Sequence, residues 1–254
     1  MKRTLLLAFS AAFLAVSPMQ VTAQKYHVTK VQRQRILIDD KYAADKDAEA
    51  FLAPFKAKVD SLMSPVIGKS AKYMKAYTPE SELSNLLADI MVWCATKYDE
   101  HVDMGLYNMG GIRAALPEGD ITFGDVNDIA PFENKICFLT LTGKQMRILF
   151  QQMSRYGGGV SHGVEAVYDK DHKLLSLKMN GEDVKDDSTY RLATIDYLMH
   201  GNDGFRELQN GSNVVSPQDT KSNTRFLIAD YFRQMTAEGR VVDSNVEGRV
   251  IVKE

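Results

Sequence analysis

From Ile136 to Leu141 the chain is an apolar run, ICFLTL, and one threonine later its period changes. ICFLTL reads as a buried strand, and TGKQMRILFQQMSRYGGG reads as a helix. Thr142 is the expected cap and the glycines from 157 on are the stop. A chain that turns from strand to helix over one residue, and does so repeatedly, must stack helices on a sheet. VIGKSAKYM is predicted as a strand. Thr78 is the expected N-cap of the next helix, with Pro79 at its first position and Glu80 complementing its dipole. That helix carries Leu83, Leu86, Leu87, Ile90, Met91 and Cys94 on one stripe. VDMGLYNM is a strand running into a glycine turn, and ITFGDVNDIAPF a short helix stopped by Pro131. VEAVYDKDHKLLSLKMNG is a hairpin, and TYRLATIDYL is a strand ending in the loop MHGNDGF. SNTRFLIADYFRQMTAEG is the last helix and GRVIVK the closing strand. The expected fold is one mixed α/β domain over residues 65–254.

Residues 24–64 are expected to form a helical arm, because Phe51, Phe55, Val59 and Leu62 recur at helical spacing before Pro65. Residues 1–23 have the form of a secretory signal: Lys2 and Arg3, an apolar stretch from Leu5 to Val16, and small residues up to Ala23. The expectation is an exported protein, periplasmic or secreted, cleaved near Ala23. Removing Lys2 and Arg3 from 31 basic and 33 acidic residues takes the formal charge from −2 to −4. A mildly acidic chain without a basic stripe is a poor binder of nucleic-acid polymers. No later apolar run is long enough to span a membrane. Cys94 and Cys137 fall in apolar patterns and are expected as two buried free thiols.

Three short segments carry groups suited to a ligand. In NMGGIR, Gly110 and Gly111 permit positive φ and close backbone approach, Asn108 brings an amide, and Arg113 offers a planar fork for phosphate or carboxylate. Phe132 and Tyr197 are aromatic rings at loop edges, where a flat apolar face stacks on a base. Asp203, in HGNDGF, is a tight-turn carboxylate able to accept hydrogen bonds from sugar hydroxyls. Taken singly, each is equally consistent with an ordinary turn, a surface arginine or a core aromatic.

The segments ESELSNLLADIM, LYNMGGIRAALPEGDITFGDV, IAPFEN, LTLTGKQMRILF, VSHGVEAVYD, YRLATIDYLMHGNDGF and VEGRV occur in this order. Together they resemble the C-terminal, substrate-binding domain of the 5′-nucleotidase family, secreted and periplasmic enzymes that dephosphorylate nucleotides. The resemblance implies that Phe132 and Tyr197 sandwich a nucleobase and Asp203 binds the ribose hydroxyls. It also implies that Asn108 and Arg113, in the turn with Gly110 and Gly111, contact the phosphate region. Met109 stands where the family has the first glycine of NGGGIR, and His200 and Asn202 depart from its NGGDGF loop.

The family's chemistry is hydrolysis at two metal ions, held by D-x-H, G-N-H-[DE] and G-H-x-H segments in a separate N-terminal metallophosphoesterase domain. None of these segments occurs here; the histidines are His27, His101, His162, His172 and His200. No catalytic residue and no cofactor are therefore expected in this chain, and two divalent metals are expected on a separate metallophosphoesterase polypeptide. The expected function is the nucleotide- or nucleoside-binding half of an exported 5′-nucleotidase-type phosphohydrolase. The competing expectation is a stand-alone exported binding or interaction module without catalysis.

Overall fold

The computed structural model describes residues 27–253. The expected signal segment, residues 1–23, lies outside the described residues. The chain divides into two units between Glu49 and Ala50. In the first unit residues 27–45 are exposed and contain no helix or strand. Helix α1 spans Lys46–Met63. Its residues Phe51, Phe55, Val59 and Leu62 are all more than half exposed, so the expected stripe is present but unburied.

The second unit is built around a five-stranded mixed sheet of order β10-β4-β9-β2-β5. Its strands are β2 (Met104–Asn108), β4 (Ile136–Thr142), β5 (Gly158–Val160), β9 (Thr189–Ile195) and β10 (Ser212–Val215). Strand β9 sits at the centre, which is why Leu192, Ala193, Thr194 and Ile195 are all buried and do not alternate. It pairs antiparallel with β4, Ile136 opposite Ile195, and parallel with β2, Met104 opposite Leu192. A four-stranded sheet has the order β11-β6-β7-β8, and β1 (Val66–Ser70) pairs with β3 (Gly119–Thr122). The former holds β6 (Val164–Tyr168), β7 (Leu174–Met179), β8 (Glu182–Asp183) and β11 (Val250–Val252). These sheets and the helices between them make the expected mixed α/β domain.

Helix α2 (Glu82–Ala95) lies directly on β2. A Cβ on Gly105 would sit 2.1 Å from the carbonyl oxygen of Ala88, so only glycine admits this approach. The helix does not begin where the threonine-proline pair predicts. Ser81 is the cap, accepting from the Ser84 amide and donating its own amide to the Ser84 hydroxyl. That reciprocal box satisfies two otherwise orphaned amides. Two further boundaries differ from expectation. Ile121 and Thr122 belong to β3, and α3 (Phe123–Ile129) starts after the Thr122–Asp125 box. After α4 (Gly143–Tyr156), capped by Thr142 as expected, only Gly157 acts as the stop; the next two glycines enter the unexpected edge strand β5. Cys94 and Cys137 are buried free thiols, as expected, and burial pushes the Cys94 thiol up to about 12.

The C-terminal segment is fastened by Arg249, which is 4% exposed. Its guanidinium grips both carboxylate oxygens of Asp89 on α2, at 2.9 and 2.8 Å, and Glu247 at 3.0 Å. It also donates to the Val160 carbonyl of β5 at 2.8 Å. Glu80, itself buried, accepts from the Asn85 amide and the Glu247 backbone at 2.7 and 2.8 Å. The carboxylates left behind, Asp89 and Glu247, are a third or more exposed and rehydrate, so Arg249→Ala should lower unfolding free energy by about 1.5–3 kcal/mol in chemical denaturation, the effect of the lost charged hydrogen bonds. Burial raises the Glu247 carboxyl, but hydrogen bonds from His162 and Arg249 outweigh it and bring it below its ordinary 4.5. A carboxylate depressed in the folded state stabilises fully above its unfolded value and loses that contribution as pH falls through the folded one. Denaturation midpoints measured from about pH 6 to about pH 3 should therefore fall less steeply in Glu247→Gln than in the parent.

Candidate functional site

The topology brings three chain segments to one end of the central sheet. Strands β2 and β9 are parallel and end there, at Asn108 and Ile195, and antiparallel β4 begins there at Ile136. The residues just before β4 and those just after β2 and β9 must therefore meet. They do: Asn108, Gly110, Gly111, Arg113, Phe132, Asn134, Tyr197 and Asp203 line one cavity of about 340 Å³. That volume lies within the roughly 300–1,000 Å³ of small-ligand clefts. Wider depressions of about 570 and 670 Å³ elsewhere are more open and lack a pair of exposed rings.

Asp203 is the centre of the hydrogen bonding. The Tyr197 hydroxyl donates to one of its oxygens at 2.9 Å, and the Asn108 amide to the other at 2.6 Å. Asp203 lies in the left-handed region, φ 50° and ψ 27°, which a short polar side chain tolerates. Its neighbours Gly201 and Gly204 have φ of 77° and 78°. The loop is closed by Asn202, whose amide donates to the Tyr197 carbonyl at 2.8 Å. Asn202, one of the two residues that depart from the family loop, thus ties it to the backbone of Tyr197. The Tyr197 phenol is raised above its ordinary value, chiefly because its proton is shared with the Asp203 carboxylate. Tyr197 does not close a strand; it sits in the one-turn helix α5 (Asp196–Met199) after β9.

Neither Gly110 nor Gly111 has positive φ, which corrects the reason for glycine here. The reason is proximity. A Cβ on Gly111 would lie 2.4 Å from the Asn108 Oδ1, and one on Gly110 would lie 3.1 Å from an Asp203 oxygen. Met109 also lies outside the positive-φ residues, and its side chain lies over Gly157, where the absence of a Cβ leaves it room. Asn108 is 3% exposed, and its Oδ1 is buried without a hydrogen-bond partner among the described residues. Arg113 is exposed and forms no ion pair among the described residues, and the one hydrogen bond of its guanidinium among them is to the Gly110 carbonyl, at 3.4 Å. Phe132 and Tyr197 are 47% and 37% exposed, unlike core aromatics. Asn134 is the lining residue that sequence reasoning missed; its only signal was its place two residues after Phe132. Among the described residues no group of three or more His, Cys, Asp or Glu is placed to hold a metal, so the donor set does not fit a two-metal centre.

The model of the 5′-nucleotidase C-terminal domain family matches residues 64–210, more than half of the chain. The chain belongs to that family. It is 26% identical over 259 residues to the snake venom 5′-nucleotidase of Crotalus adamanteus, covering 89% of this chain and 43% of that enzyme. It is 26% identical over 237 residues to the cell wall protein Lmo0130 of Listeria monocytogenes, covering 82% of this chain and 29% of that protein. The structure of a 5′-nucleotidase precursor from Thermus thermophilus superposes with a TM-score of 0.69 at 27% identity, over 81% of this chain and 43% of that one. The chain thus spans less than half the length of these relatives. The described residues contain no helix long and apolar enough to cross a membrane.

The Tyr197–Asp203 contact has its own test. Asp203→Ala removes the acceptor and its charge, so the Tyr197 phenol should titrate at lower pH, toward 10.0. Carbon-13 NMR of ring-labelled tyrosine reads this directly; an unmoved titration would show that the two side chains are apart in solution.

Proposed function

We propose that this chain is the nucleotide- or nucleoside-binding half of an exported 5′-nucleotidase-type phosphohydrolase. The observation that carries the reading is the convergence of Phe132, Tyr197, Asp203 and Arg113 on one cavity. The two rings stack on the base. Asp203 accepts from the ribose hydroxyls: a carboxylate offers about four acceptor positions, and the protein uses two. Arg113, exposed and without a carboxylate partner among the described residues, takes the phosphate end. The Asn108 amide is committed to Asp203 and sets that carboxylate in place beneath the turn of Gly110 and Gly111.

In this reading the two divalent metals belong to a separate metallophosphoesterase polypeptide. The family membership and the lack of a fitting donor set among the described residues support that division of labour. Export rests on the signal-like residues 1–23, and a relative named as a cell wall protein is in keeping with it. The test is calorimetry of the chain from residue 24 with adenosine and with AMP. Phe132→Ala should weaken adenosine binding by about 1–3 kcal/mol. Arg113→Ala should spare adenosine and weaken AMP. The chain alone should release no phosphate from AMP with added divalent metal, and an added metallophosphoesterase chain should restore release. Adenosine affinity unchanged in Phe132→Ala would overturn the proposal.

A further inference from the structure

The two lining residues that precede β4 belong to the segment Pro131-Phe132-Glu133-Asn134, which contains no helix or strand. Phe132 is half exposed, so its own side chain anchors it only in part. The anchorage comes from a distant part of the chain, the first turn of α6 (Thr224–Ala237). At one end of the segment the Arg225 Nη2 donates to the Pro131 carbonyl at 2.6 Å, while its Nη1 donates to the Asn127 side chain on α3 at 3.0 Å. At the other end the Asn134 carbonyl accepts from the Thr224 backbone at 2.9 Å and from its hydroxyl at 3.2 Å. The first turn of one helix thus fastens the segment on both sides of Phe132.

The Arg225 guanidinium forms no ion pair with a carboxylate among the described residues, and its Nε is buried without a hydrogen-bond partner. Its fork therefore does not serve charge neutralisation. It spans two neutral acceptors on different elements, a task that suits a rigid planar donor and not a flexible ammonium. Thr224 is 1% exposed, and Asn223, the cap of α6, accepts the Arg225 amide at 3.1 Å, so the donors themselves sit on a fixed base.

We propose that Thr224 and Arg225 are positioning residues that preset the Phe132 wall of the cleft for the base. The proposal rests on the nucleoside reading above for what the wall meets, but the brace is testable without any ligand. Amide hydrogen exchange of Thr224, whose N–H is bonded to the Asn134 carbonyl, and of Lys135, whose N–H is bonded to the Asp196 side chain, should accelerate in Arg225→Ala, while the amides of α6 beyond its first turn keep their protection. Adenosine affinity should fall about tenfold, the expected effect of losing charged hydrogen bonds that set geometry. Arg225→Lys, which cannot span both acceptors, should not restore it. In a Phe132→Ala background the same Arg225→Ala change should cost less than about twofold, because the ring it positions is gone. If Arg225→Ala does not fold, Asn127→Ala, which releases one tine of the fork, is measured in the same way.

Unchanged exchange at Thr224 and Lys135 would overturn the brace whatever adenosine does. Faster exchange with additive affinity losses would overturn its effect on the ring. If Phe132→Ala leaves adenosine binding unaltered, the nucleoside reading fails instead, and the exchange data still decide whether Thr224 and Arg225 hold the segment.

Discussion

The guanidinium of Arg249 is the contact on which the rest of the domain depends. It lies almost wholly buried, five residues from the C-terminal end, and joins three parts distant in sequence: Asp89 on α2, the Val160 carbonyl on β5 and Glu247 in its own segment. Helix α2 lies against β2 with no side chain between them at Gly105. Whatever holds α2 therefore also holds β2, whose last residue is Asn108. A charge buried this deeply is tolerated only when its donors are matched, and here a bidentate carboxylate, a second carboxylate and a carbonyl do so.

Asn108 in turn connects that scaffold to the cleft. Its amide and the Tyr197 hydroxyl hold the two oxygens of Asp203, so the carboxylate is oriented before any ligand arrives. The cavity is thereby organised from three directions: β2 through Asn108, the end of β9 through Tyr197, and the first turn of α6 through the Phe132 segment. Each support is a hydrogen bond between residues distant from one another in the chain or across a loop. Preset groups lose less freedom on binding than free ones, which favours affinity for a small ligand.

Much of this was readable from local pattern. The strand-to-helix switch at Thr142, the stripe of α2, the hairpin of β6 and β7 and the burial of both cysteines come from period and apolarity alone. The residues of the cleft were named because their motifs stand in a recognisable order. The features that escaped depended on partners out of local reach. Thr78 and Ser81 are equally good caps by type, and only the reciprocal bond with Ser84 decides between them. The glycines after α4 look like a stop, yet two of them form β5 because β2 offers an open edge beside them. Gly110 and Gly111 resemble left-handed turn residues, but their backbones are ordinary and the constraint on Gly111 is the side chain of Asn108 overhead.

The sequence by itself determined the alternation of elements, the class of fold and the kinds of side chain available to a ligand, because periodicity, capping and residue chemistry act over a few residues. Only the tertiary structure decided which of those side chains meet. Parallel pairing of β2 with β9, and antiparallel pairing of β9 with β4, place Asn108, Tyr197 and the approach to Ile136 at the same end of one sheet. That is a matter of strand order and direction, which long-range backbone hydrogen bonds set and no local segment encodes. The bracing of Phe132 by Thr224 and Arg225, distant in the chain, is decided in the same way.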